Sequence, residues 1–369
     1  MYKTTFIGVF LLLSSSRIYA QVGEVKDESP FLFSASYVGD IVSNFKGGIR
    51  RGTSYLGLAN MKGDFNTNRW WKGGEVFVNI GNTHGGEPTA NLVGDFQGVS
   101  NIEAGDLTFL YELWYKQSFG KFSATLGLQD LNATFAVNED GGLFTNSSFG
   151  IHSSIADNIP SPIFPLTALG VNLQWNIADS FEWQTAIFDG TPDDFENNPY
   201  NTNWKLSKDQ GFLAVTEFQL KKSLVSGKTG SYKFGAYYHQ HNDTIEKVQK
   251  NGGFYLVADQ QITKKLYLFS QIGLSPKSIN RNDVYCSLGF NCKGMISTRP
   301  DDQFGMAVAH AGIHNSVIGS ETAIEMAYQL QINRNIFIKP DIQYIINPAG
   351  TDLKLDNALV GFVRFGVQF

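Results

Sequence analysis

The chain has 369 residues, of which 42% are hydrophobic and 14% aromatic, with 38 glycines against only 11 prolines. That length suits one large domain or two ordinary ones, and glycine without proline or a strict repeat excludes collagen-like and disordered classes. A formal charge of −5 with no basic block argues against a nucleic-acid partner. The only two cysteines, Cys286 and Cys292, make neither a disulfide scaffold nor a zinc pattern.

The first element is an address. Lys3 supplies a short positive region, Phe6 to Leu13 an apolar run, and Ile18-Tyr19-Ala20 a small-residue end. This order is that of a secretory signal peptide over 1–20, with cleavage expected after Ala20. A membrane anchor is the competing reading, but the run is too short to cross a bilayer. No later stretch reaches the roughly 18 consecutive apolar residues of a membrane helix.

From Phe31 onward the chain alternates with a period of two. Leu107, Phe109, Tyr111, Leu113 and Tyr115 alternate with Asp106, Thr108, Leu110, Glu112, Trp114 and Lys116. Val171 to Ile177, Phe181 to Phe188, Ala323 to Ile332 and Val363 to Phe369 follow the same rule. Such alternation sends successive side chains to opposite faces of a sheet. About sixteen such segments, each near ten residues, match tilted membrane strands. A soluble sandwich or propeller also alternates. Here, however, the apolar face ends often in Tyr, Trp or Phe, as interfacial girdles require, and the other face is polar, as a wet lumen requires. The expected fold is all-β, a transmembrane antiparallel barrel of about 16 strands forming a single domain over 21–369.

The links support this. Those after even-numbered strands are short, at Gln117–Gly120, Ala178–Ser180, Thr263–Lys265 and Asn333–Asn335. Those after odd-numbered strands are long, at Thr83–Gly105, Leu131–Leu169 and Gly190–Gln210. Bacterial barrels have short periplasmic turns and long outer loops. Gly63–Gly73 and Asn291–Gln303 are exceptions of moderate length. The longest link is rich in Phe, Pro and Ile, which suits folding into the lumen better than lying in water as an outer lid.

Several stretches, in order, resemble the carbohydrate-selective porins of the OprB type. They are GGIRRG (Gly47–Gly52), QGVSNIEAGDLTFLYELWYKQ (Gln97–Gln117), GLQDLNATFAVNEDGGLFTNSSFGI (Gly127–Ile151), PIFPLTALG (Pro162–Gly170), RPDD (Arg299–Asp302) and KPDIQYIIN (Lys339–Asn347). The resemblance spans almost the whole mature chain. It implies a monomeric sixteen-stranded barrel in the outer membrane of a Gram-negative bacterium, with inward-folded loops forming an eyelet. It further implies passage of glucose and related sugars, contact with outer-membrane lipid, and assembly by barrel-insertion machinery. It calls for no cofactor. The two cysteines have no counterpart in the family pattern, and a bond between them stays open.

A sugar-selective channel needs hydrogen-bonding groups around a narrow point, with binding weak enough to release. Parity places Asp106, Glu112, Trp114 and Lys116 on the lumen face of the fourth strand. Glu103 lies just before it, Arg364 shares the lumen face of the last strand, and Arg50 and Arg51 occupy the first outer loop. Each of these charges has a second reading as wall scaffolding. Asp130, Asn132, Phe135, Asn146 and Phe149 are the constriction candidates of the long loop. Enzyme motifs are weak. His239-x-His241 reads as rim histidines rather than a metal pair, and the nearness of Ser148 and His152 in sequence is not triad geometry. The alternatives are a general porin, a channel for anions or aromatic acids, and, more remotely, a barrel enzyme or adhesin.

Overall fold

The computed structural model describes residues 29–242, 248–314 and 316–369, so the signal-peptide segment 1–20 lies outside the described residues. Sixteen strands follow one another: β1 (Phe31–Gly48), β2 (Gly52–Asn66), β3 (Gly74–Gly85), β4 (Leu107–Phe119), β5 (Phe122–Gln129), β6 (Ala168–Ala178), β7 (Phe181–Asp189), β8 (Phe212–Leu220), β9 (Gly230–Asn242), β10 (Val248–Gln261), β11 (Leu266–Leu274), β12 (Asn282–Lys293), β13 (Gln303–Ile313), β14 (Ser320–Asn333), β15 (Ile336–Ile346) and β16 (Asp356–Gln368). Each pairs antiparallel with its sequence neighbours, and β1 pairs with β16 to close the barrel. Closure leaves no open sheet edge, which is the condition for strands to cross a bilayer. No helix among the described residues is long and apolar enough to do so.

The period-two pattern sorts the two faces as expected on most strands. On β7 the inward Glu182, Gln184, Ala186 and Phe188 are buried, while Ile187 is 59% exposed. On β14 Ala323, Glu325 and Ala327 are buried and Met326 points out. Outward Leu113, Trp175 and Val363 are likewise exposed.

β4 departs from strict parity. Its register with β3 shifts between Asn79 and Ile80, which face Glu112 and Leu110 and leave Tyr111 as the extra residue of a β-bulge. One extra residue exchanges the faces on either side of it. Phe109 and Tyr111 are therefore buried inside, where Phe109 packs on Phe195 at 5.3 Å and Tyr111 on Phe164 at 5.9 Å. Leu107, expected to face lipid, shares the inward side with Thr83. The backbone groups freed at the bulge are taken by loops. Leu110 N donates to Tyr200 O, and Thr167 Oγ1 donates to Tyr111 O.

Long outer links occupy 86–106, 130–167 and 190–211. The first outer link is far shorter than GGIRRG suggests. Gly47 and Gly48 belong to β1 at φ of 68° and 63°, and only 49–51 turns the chain. A Cβ on Gly47 would lie 2.0 Å from Asn357 O, so glycine is required there.

Cys286 and Cys292 lie on the same strand, β12, and both are free thiols. Six residues of strand separate them by roughly 20 Å, far beyond the roughly 7 Å that a disulfide tolerates. Labelling of denatured, unreduced protein should therefore find two reactive thiols. Leu113→Arg should cost about 2–4 kcal/mol of unfolding free energy if the side chain meets the middle of the bilayer. A wild-type value in refolding titrations would contradict the outward placement.

Candidate pore and its constriction

The lumen is filled largely by links 86–106 and 130–167, held by side chains of the wall. A loop inside a barrel has no sheet partner for its backbone, so acceptors and donors must come from elsewhere. Inward-facing carboxylates supply the acceptors. Glu325 of β14 takes Thr145 N at 2.5 Å and Asn146 N at 3.0 Å. Glu321, four residues earlier on the same face, takes Phe96 N, Gln97 N and Ala349 N at 2.7–2.9 Å. Glu217 of β8 takes Ala136 N at 2.8 Å, and Asp259 of β10 takes Asp140 N at 3.0 Å.

Donors on the wall answer the loop carbonyls. Lys339 Nζ donates to Leu143 O at 2.5 Å, Lys233 Nζ to Val137 O at 2.6 Å, and Tyr285 OH to Ser148 O at 2.6 Å. At the β1–β16 seam, Arg364 and Asp40 face each other and form two bonds of 2.7 Å, and Ser100 of link 86–106 donates to the same carboxylate. Phe144 and Phe149 pack on Phe269 of β11 at 5.5 and 6.2 Å, so an apolar wedge backs the polar straps.

Among the described residues two large cavities adjoin these links. The outer one, about 480 Å³, lies between links 86–106 and 130–167. The inner one, about 760 Å³, opens toward the short turns. Asp130 and Val137 line both, so the loop wall between the cavities passes through them. Asp130 is held there by Tyr111 OH at 2.6 Å and Asn132 N at 2.8 Å. The bulge in β4 is what turns Tyr111 inward to make that bond.

The cavities differ in charge. Glu87, Glu103, Asp130 and Asp157 line the outer one, and no Lys, Arg or His does. Burial pushes the Glu103 carboxyl up to about 7 and that of Asp130 up to about 6. Both Glu103 oxygens accept Thr89 N at 3.1 Å, which partly opposes that effect. The inner cavity mixes signs, with Lys62, Lys116 and Lys221 beside Glu112, Glu139 and Glu182. There Trp114 stacks on Phe77 at 4.9 Å and donates to Glu112 at 3.2 Å.

The residues nominated from sequence thus fall into three groups. Glu103, Asp130 and Asn132 line the outer cavity, and Glu112, Trp114 and Lys116 the inner one. Arg364 faces inward but is fully engaged by Asp40. The others lie elsewhere. Asp106 does not share a face with Glu112, because the bulge intervenes; it is exposed and caps Gly85 N at 2.8 Å. Arg50 and Arg51 are exposed on the turn 49–51 and line neither cavity. Phe135, Asn146 and Phe149 are fully buried against the wall, since a loop must spend its bulky side chains on anchorage.

Sequence reasoning passed over Asp157 and the strap carboxylates. The available signal was an acidic residue at inward parity on a strand, in mid-strand at Glu217 and Glu325 and at the start of β14 at Glu321. His239 is buried rather than at an exposed rim and bonds Gly190 O at 2.7 Å. His152 bonds Ser154, while Ser148 donates to Asn146, so the imagined Ser148–His152 pair does not form. Among the described residues no group of three His, Cys, Asp or Glu side chains is arranged to hold a metal.

Glu325→Ala removes the acceptor for two loop N–H groups. Lost bonds to a charged group cost about 1.5–3 kcal/mol. The expected outcome is lower stability together with larger single-channel conductance, read from unfolding titrations and bilayer recordings. Between pH 8 and 5 Glu103 and Asp130 gain protons as pH falls through their raised pKa values, so cation preference should decline. Reversal potentials across a salt gradient measure this, and Glu103→Gln should flatten the change.

Comparison with known proteins agrees with this architecture. The chain is 24% identical over 414 residues to Porin B of Pseudomonas aeruginosa, covering 93% of this chain and 88% of that protein. It is 23% identical over 248 residues to the putative porin QuiX of Acinetobacter baylyi, covering 56% of each. The fold matches the high-pH structure of Pseudomonas putida OprB with a TM-score of 0.84 at 21% identity, over 92% of this chain and 94% of that one. The outer-membrane channel DcaP of Acinetobacter baumannii matches with a TM-score of 0.60 at 8% identity, over 92% and 97% of the two chains. The family described as "Carbohydrate-selective porin, OprB family" matches residues 50–369, and the chain belongs to that family, as a sugar-selective porin of the Gram-negative outer membrane.

Proposed function

We propose that this porin passes neutral, hydroxyl-rich sugars such as glucose down their gradient, as a monomer, through the two cavities that meet at Asp130 and Val137. The observation carrying this reading is the charge of the outer cavity. Four carboxylates and no cation line it, so an entering anion meets repulsion while a neutral polyol meets hydrogen-bond acceptors. Glu103 and Asp130 accept hydrogen bonds from sugar hydroxyls on this reading. In the inner cavity Glu112 and Lys116 offer an acceptor and a donor, and the face of Trp114 stands beside them. The same charge pattern weighs against a channel for anions or aromatic acids. No energy source is invoked on this reading, because among the described residues the lumen holds only links of the barrel itself. Residues 1–20 direct export and are then removed.

Liposome swelling tests the reading. Glucose should enter protein-containing vesicles faster than gluconate of similar size, and only down its gradient. Faster entry of gluconate would favour the organic-acid alternative, and accumulation against the gradient would end the passive one. Glu103→Gln and Asp130→Asn should each weaken glucose block of single-channel current several-fold, because a charged hydrogen-bond partner is lost.

A further inference from the structure

Lys339, Asp341 and Gln343 of the KPDIQYIIN stretch alternate along β15 and are all buried inside, while Ile338, Ile342 and Tyr344 point out. They meet link 130–167 almost residue by residue. Lys339 Nζ donates to Leu143 O at 2.5 Å, Gln343 Nε2 to Thr145 Oγ1 at 2.9 Å, and Gln343 Oε1 accepts Asn146 Nδ2 at 3.3 Å. Glu325, the partner of Gln343 across β14 and β15, receives Thr145 N and Asn146 N. Phe144, Ser147 and Ser148, on either side of this clasp, line the outer cavity.

The protons at Thr145 can be counted. Its Oγ1 lies 2.9 Å from Glu325 Oε1, 3.0 Å from Asp341 Oδ2 and 2.9 Å from Gln343 Nε2. A hydroxyl has one proton to give and two lone pairs to receive. The Gln343 amide must point its nitrogen this way, because the same nitrogen also donates to Val99 O at 2.9 Å. That contact takes one lone pair, and the hydroxyl proton serves one carboxyl. The second carboxyl contact requires a proton on the carboxyl itself. Glu325 is wrapped by backbone N–H groups and suits the anion. Among the described residues no donor reaches Asp341 Oδ1, so Asp341 suits the acid.

The surrounding charges lead to the same assignment. Arg364 faces Lys339 across β15 and β16 and is bonded to Asp40, and Glu325 balances Lys339. Glu321, further along β14, is occupied by Phe96 N, Gln97 N and Ala349 N. Gly305 and Ala307 of β13, which face Ala327 and Glu325, and residues 143–149 of the link carry no charge. An ionised Asp341 would add an unbalanced buried charge beside Glu325. We propose that Asp341 is a proton-carrying positioning residue of the constriction. Its carboxyl donates to Thr145, Thr145 donates to Glu325, and loss of that one proton to water frees 143–149 from the wall and widens the outer cavity.

The test records single-channel currents of the intact protein in planar bilayers from about pH 6 to about pH 10, where exposed carboxylates stay ionised. In the wild type the fraction of wide, high-conductance openings should rise with pH by up to about tenfold per unit, the limit for one proton. D341N keeps a donor toward Thr145 and cannot ionise, so it should match the wild type at the acid end and stay narrow throughout. D341A has no donor at any pH and should be wide throughout. Titration of Glu103 and of the lysines is common to all three and cancels in the comparison. A flat wild-type profile, a D341N profile that still rises, or a narrow D341A would overturn the proposal. Where D341A does not assemble, the wild type against D341N decides alone, with heat-modifiable mobility showing that both are folded barrels. No sugar enters these recordings, so the outcome is independent of which solute the porin carries.

Discussion

Buried carboxylates on the inner wall govern the shape of this channel. A peptide segment led into a barrel carries N–H groups that no strand can receive, and leaving them unbonded costs about 1–3 kcal/mol each. Glu217 receives one of them, Asp259 and Glu325 two each and Glu321 three, and Lys233 and Lys339 donate in turn to the carbonyls. The carboxylates gain from the same arrangement. A desolvated negative charge is tolerable only when hydrogen bonds surround it, and a run of backbone donors is a suitable shell. Wall and loop therefore satisfy one another, and neither arrangement is sensible without its partner.

This strapping also distributes charge along the path. The wall cations beneath the loops are consumed by carbonyls or by Asp40, so they do not show through to the outer cavity. What remains exposed there is acidic, from Glu87, Glu103, Asp130 and Asp157. Below Asp130 the loop ends and bare wall reappears, and lysines return with it. A solute moving inward passes from an acidic chamber to a mixed one. Such a gradient favours weak, successive hydrogen bonds over a single tight site, which is what passage requires.

The bulge in β4 links fold to path. By exchanging faces at Tyr111 it brings Phe109 and Tyr111 into contact with Phe164 and Phe195 of two different links. The same step places the Tyr111 hydroxyl on Asp130. One inserted residue thus anchors two links and positions the carboxylate between the cavities. The bulge in β1 acts in the opposite direction and turns Lys46 outward.

Alternation along β7, β14 and β16 was enough to declare a membrane barrel, because a wall between lipid and water forces polarity to change at every residue. The number of strands and the lengths of links 86–106, 130–167 and 190–211 followed from the same pattern. The order of motifs marked the family. Glu112, Trp114 and Lys116 lie on one side of the bulge and line the inner cavity, whereas Asp106 and Leu107 lie on the other side, where parity is exchanged. A bulge is decided by what Phe109 and Tyr111 meet across the lumen, and those neighbours come from 164 and 195, far along the chain. The same holds for Asn146 and Phe149, which looked like constriction residues in a polar, aromatic loop but face Gln343 and Phe269. Which side of an inward-folded loop faces water depends on where the wall set its straps, and no local pattern in the loop records that.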